Sequence, residues 1–134
     1  MDEIEVLPTT LEEAFEILKT FYKKDLELIK KMDEKEFLSS SHFWSGMFLR
    51  NSWLLWWHNN HGYDQWPDTR PKLNVWFNQN KIWHADDMSG IILKSLHRHL
   101  LGKELELEQQ FKHYYNYWEK TEKGLNEKEL LKCK

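Results

Sequence analysis

The chain has 134 residues and 16.5 kDa, the size of one domain. Apolar residues at 40% can form a core without disulfides, and a lone Cys133 excludes an internal disulfide framework or a thiolate zinc cage. Nineteen basic against 22 acidic side chains leave a net charge of −3, the wrong sign for a general binder of duplex nucleic acid.

No apolar run approaches ~18 residues, so no membrane span is expected. The acidic start Met1-Asp2-Glu3-Ile4-Glu5 lacks the basic and apolar regions of a signal peptide. The expectation is a cytoplasmic protein with no membrane partner: one helical domain over 1–134, with its core at about 7–123 and a charged tail over 124–134.

From the N-terminus, Thr10 with Glu13, or equally Thr9 with Glu12, fits a capping box. Leu11, Ala14, Phe15, Leu18 and Tyr22 then recur at the spacing of an amphipathic helix. A second short helix is expected over 24–32, with Leu26, Ile29 and Met32 inward. Asp33 and Glu36 open a third, which Ser39-Ser40-Ser41 interrupts. From Ser41 the sequence runs through Phe43, Trp44, Met47, Phe48, Leu49, Trp53 and Leu54. It is apolar almost all round, which predicts the central, buried helix. Arg50 and Asn51 lie inside it, where an unpaired polar group costs about 2–7 kcal/mol.

Residues 58–72 carry turn formers and two prolines, a long aromatic loop with Tyr63 and Trp66; loops of this length in small domains are functional or disordered. A short helix or turn follows around Val75–Lys81. Asp86 or Asp87 can cap a helix over Met88–Leu101, and Gly102 suits its stop. A last helix is expected from about Leu105 to Lys123, with Gly124 ending it and the tail fraying. β-Branched residues are few and no alternating run stands out. The fold class predicted is therefore all-α, a single bundle of about five or six helices with a long aromatic loop.

Seven of eight tryptophans lie between Trp44 and Trp83, and six of seven histidines between His42 and His99. Indole faces such as Trp57, Trp66, Trp76 and Trp83 can stack on a base or anchor an interface, or simply fill volume. His97 and His99 stand two positions apart on a helix, about 200°, and cannot share a metal. With no HExxH and no phosphate-binding glycine pattern, no metal and no cofactor are expected. His84-Ala85-Asp86-Asp87-Met88-Ser89-Gly90 is the densest polar cluster. Two readings stay open for it: an acid–base unit of His84 with Asp86 or Asp87, or a capped helix start whose second aspartate pairs with Arg50 or Arg98.

Four segments then stand out together: Leu7-Pro8-Thr9-Thr10-Leu11-Glu12-Glu13-Ala14; Gly46-Met47-Phe48-Leu49-Arg50-Asn51-Ser52-Trp53-Leu54-Leu55-Trp56; His84-Ala85-Asp86-Asp87-Met88-Ser89-Gly90-Ile91-Ile92; and His97-Arg98. In these the chain resembles an uncharacterised bacterial domain-of-unknown-function family, over roughly residues 7–118. Where that family has proline after the histidine, this chain has Ala85. The resemblance brings no activity with it. It implies only that Arg50, Asn51, Trp53, His84, Asp86, Asp87, Ser89, His97 and Arg98 form one recurring constellation. An Arg50–aspartate salt bridge would then pin two helices.

The function expected is non-enzymatic binding by stoichiometric occlusion, as in toxin immunity or phage and bacterial anti-defence. The partner would be a protein toxin or a small nucleotide-like ligand. The residues expected to meet it are Arg50, Asn51, Trp53, Trp57, Tyr63, Trp66, Trp83, His84, Asp86, Asp87, Ser89, His97 and Arg98. The alternative is a small hydrolase or transferase with His84 as base, Asp86 or Asp87 orienting it, and Arg50 or Arg98 holding an anion. A homodimer face is a third use for the aromatics.

Overall fold

The structure, a computed structural model, describes residues 7–41, 45–53 and 71–132. Among these it is all-α, with seven helices: α1 Leu11–Phe21, α2 Leu26–Lys31, α3 Glu34–Ser41, α4 Met47–Ser52, α5 Lys72–Gln79, α6 Ala85–Leu100 and α7 Leu107–Lys132. The expected loop over 58–72 lies outside the described residues, apart from Pro71 and Lys72, where α5 begins.

Local signals act as their chemistry dictates. Thr10 Oγ1 accepts the Glu13 amide at 3.1 Å, and Thr9 Oγ1 donates to Glu13 Oε2 at 2.6 Å. Both threonines therefore serve one helix start. Asp33 Oδ1 accepts the Glu36 amide at 2.7 Å and opens α3, which runs through all three serines to Ser41 instead of breaking at Ser39. At the end of α6, Gly102 takes φ +71°. Its amide reaches His99 O at 3.1 Å while that of Lys103 reaches Arg98 O at 2.9 Å, the paired bonds that close a helix around a left-handed residue. Gly124 ends nothing, because α7 continues through it to Lys132. A single glycine costs a helix only about 1 kcal/mol, too little to stop this one.

Among the described residues the central helix is α6, not the Met47–Ser52 part of the apolar stretch expected to be central; Phe43, Trp44 and Leu54 lie outside them. Helices α1, α2, α3, α4 and α7 all pack on α6. Its Ala85, Met88, Ile91, Ile92 and Leu96 are wholly buried, and so is Ser95, with Ser89 nearly so. Burying each large aliphatic side chain is worth about 1.5–3 kcal/mol. The small serines let neighbouring helices approach closely, and Gln110 of α7 docks there, its Nε2 bonding Ser95 Oγ and Leu105 O. By contrast α4 has two faces: Leu49, Arg50 and Trp53 point inward, while Asn51 is exposed and Met47 half exposed. No helix among the described residues is long and apolar enough to cross a membrane.

Candidate functional site

At the N-terminal end of α6 the cap position is His84, whose extended backbone hands over to the helix without a side-chain cap bond. Asp86 and Asp87 therefore sit within the first turn, where the positive end of the helix dipole favours them. Neither is the N-cap expected from sequence. Because the backbone is already helical at Ala85, their side chains reach across to neighbouring helices instead of back to their own amides.

Asp86 meets α4. Arg50 Nε lies 3.3 Å from Asp86 Oδ1, and Arg50 Nη1 donates to Ser89 Oγ at 2.9 Å. Ser89 Oγ donates in turn to the Asp86 carbonyl at 3.0 Å. The guanidinium is buried, while the Asp86 side chain keeps 61% of its surface exposed. A Cβ on Gly46 would lie 2.8 Å from Arg50 Nη1, so glycine is what leaves room for the guanidinium. The inter-helix salt bridge expected from sequence is therefore present, anchored on the buried Ser89.

Asp87 meets α7. Trp118 Nε1 donates to Asp87 Oδ2 at 2.7 Å, and the Trp118 ring stacks on His84 with centroids 4.0 Å apart and planes 13° from parallel. Among the described residues that indole is the only hydrogen-bond donor to the carboxylate, and no ion pair reaches it. Burial pushes the Asp87 carboxyl above its ordinary range, against the lowering pull of the Trp118 N–H and of His84. Burial likewise raises the Tyr114 hydroxyl, and the Asp87 charge adds to the shift. That hydroxyl hangs over Gly90, where a Cβ would stand 2.9 Å from it. Leu38 of α3, Leu93, Ser89, Gly90, Tyr114 and the two aspartates line a partly open cavity of about 270 Å³ where α6 meets α7 and α3.

No hydrogen bond joins the His84 ring to either aspartate among the described residues, and its face is taken by Trp118. Arg50 is committed to Asp86 and Ser89, so it does not stand ready to hold an anionic substrate.

Other expected site residues are scattered. His97 is buried eleven positions further along α6, roughly 16 Å at 1.5 Å per residue. Its Nε2 lies 2.8 Å from Met32 O and its ring stacks on Phe37. Arg98 joins Glu34 (2.9 Å, with the N–H not aligned on the oxygen) and Glu106 (3.6 Å). Neither belongs to the α6–α7 cleft. Trp53 is 1% exposed and so is core, unable to touch a partner. Asn51 is exposed and does not line the cleft. Trp83 is half-buried and does not line it either. Trp57, Tyr63 and Trp66 lie outside the described residues. The aromatic that lines the cleft is Tyr114, and Trp118 reaches it only through its bond to Asp87; the sequence marks both only as part of a crowded run on the last helix.

Residues 7–100 match the family described as a domain of unknown function, DUF6794, and the chain belongs to that family. The match takes in Arg50, His84, Asp86, Asp87 and Ser89 and ends before α7, which supplies Tyr114 and Trp118. No curated protein and no solved structure matches the chain.

Proposed function

We propose that this DUF6794 chain is a small non-enzymatic binding protein that captures its partner by stoichiometric occlusion, seating a cationic group of that partner in the cleft between α6 and α7. The observation that carries this is Asp87. Its carboxylate is partly desolvated and held by one indole N–H; among the described residues no lysine or arginine pairs with it, and His84 and His113 act on it without an ion pair. Arg50 balances Asp86, which leaves one negative charge at the mouth of an aromatic and aliphatic cavity. An arriving ammonium or guanidinium restores the charge balance lost to burial and gains the ring of Tyr114, which is attractive to cations.

Size limits the guest. Small-molecule sites occupy roughly 300–1,000 Å³, and about 270 Å³ suits a side chain or head group better than a whole ligand. A protein partner presenting an arginine or lysine fits this, as in toxin immunity or anti-defence in the cytoplasm. Isothermal titration with agmatine, an arginine side-chain mimic, tests it. Saturable 1:1 binding, weakened at least about tenfold in Asp87→Asn by loss of a desolvated charge pair, is the expected result. The absence of saturable heat, or an unchanged affinity in Asp87→Asn, would contradict it.

A further inference from the structure

Two helix ends in this chain close in the same way with different residues. At the end of α6 the left-handed position is Gly102. At the end of α5 the Ile82 amide reaches Phe77 O at 2.9 Å and the Lys81 amide reaches Asn78 O at 3.0 Å, the same pair of bonds, but the left-handed residue is Lys81, with φ +66°. A lysine there is strained where glycine would not be. Backbone strain at a position that glycine would relieve directs attention to what the side chain does. The Lys81 ammonium is carried over the face of Tyr115 on α7, 5.5 Å from the ring centre, within cation–π range.

Tyr115 also lines a second pocket, a wide-open depression of about 430 Å³ that shares no lining residue with the α6–α7 cleft. Its lining residues are Lys81 and Lys112, Tyr115 and Phe111, Gln79, Asn80 and Glu108. The Asn80 amide nitrogen is fixed on Trp76 O at 2.8 Å, which settles which end of the amide is already used. The volume lies inside the small-molecule range. Two cations beside a flat ring recognise a planar ring that carries an anion, and the carboxylate and amide suit hydroxyl and ring N–H groups.

We propose that this cavity is a binding site for a free mononucleotide. Its phosphate is held by Lys81 and Lys112, and its base lies on the face of Tyr115 that the Lys81 ammonium covers in the unliganded protein. The site extends the capture function with separate residues, so failure here leaves the agmatine result standing, and the reverse holds too.

The test is isothermal titration of the full chain with adenosine 5′-monophosphate, alongside inorganic phosphate, adenosine and a short single-stranded RNA. Wild type is expected to bind the mononucleotide saturably, and phosphate or adenosine alone at least about tenfold more weakly, since each has half the contacts. Lys81→Gly is expected to lose about tenfold or more in affinity while its Tm rises by about 2–6 °C, because strain is removed. Tyr115→Leu is expected to lose base stacking and bind the mononucleotide no better than phosphate. Any of four results would overturn the proposal: no saturable binding of the mononucleotide, unchanged affinity in Lys81→Gly or Tyr115→Leu, a Lys81→Gly Tm that does not rise, or RNA bound far more tightly than the free mononucleotide.

Discussion

At the C-terminal end of α6, His97 is buried against Phe37 with its Nε2 on the Met32 carbonyl, and Arg98 is shared between Glu34 and Glu106. At the N-terminal end, Arg50 is matched by Asp86 and Ser89, but Asp87 is left with a single indole bond and a cavity in front of it. Both ends use histidine, arginine and acids. One closes its polar groups on one another and ties α6 to α2, α3 and the start of α7. The other leaves a charge unmatched. Residue type alone does not separate a fastening from a site; what separates them is whether each charge already has its partner.

Five substitutions break or sharpen this contrast. The largest effect is expected for His97→Ala, which opens a cavity in the core and strands the Met32 carbonyl. Urea unfolding should show a loss of about 3 kcal/mol, with agmatine affinity per folded molecule unchanged. Arg50→Met comes next. It removes a buried donor from Ser89 and the partner of Asp86, for roughly 2 kcal/mol in the same assay; the freed Asp86 charge should raise agmatine affinity. A stability loss in both variants with a binding change in Arg50→Met alone would sharpen the contrast. Equal effects of both variants on binding would break it.

Smaller still is the coupling between Gly90 and Tyr114. In a Tyr114→Phe background, Gly90→Ala should stabilise the helix by about 0.5–1 kcal/mol. In the parent chain the added methyl meets the Tyr114 hydroxyl, so that gain should be reduced or lost. The smallest effect is in pH dependence. Burial raises the Asp87 carboxyl above its unfolded value, so its stabilising contribution is full at acid pH and is lost as pH rises through the folded value. Asp87→Asn removes that loss. Its Tm advantage over wild type should appear above the carboxylate range and vanish in more acid solution.

The sequence makes the helical class legible because capping chemistry and helical spacing are local. Thr10, Asp33 and Gly102 act where they stand. The Arg50–Asp86 bridge is legible too, since a buried arginine needs an acid. The central helix is not. Buried positions of α6 are filled by Ser89, Ser95 and His97, whose polarity hides their burial, whereas the stretch around Met47–Trp53 looks uniformly apolar yet turns Met47 outward. The cleft is half legible. Asp86 and Asp87 announce themselves as a pair, but the Tyr114 ring that lines the cleft and the Trp118 N–H that holds Asp87 lie 27 and 31 residues beyond Asp87. Of the tryptophans clustered along the chain, Trp53 is interred by the fold, Trp83 is half-buried away from the cleft, and Trp57 and Trp66 lie outside the described residues.

The most direct measurement follows the Trp118 indole N–H by two-dimensional ¹⁵N–¹H NMR, assigned through Trp118→Phe, as agmatine is added. If Asp87 holds a cation in the cleft, that resonance shifts saturably, because its hydrogen-bond acceptor gains a second partner, and it stays still in Asp87→Asn. A Trp118 resonance that does not move while agmatine binds would place the cation elsewhere and contradict the account.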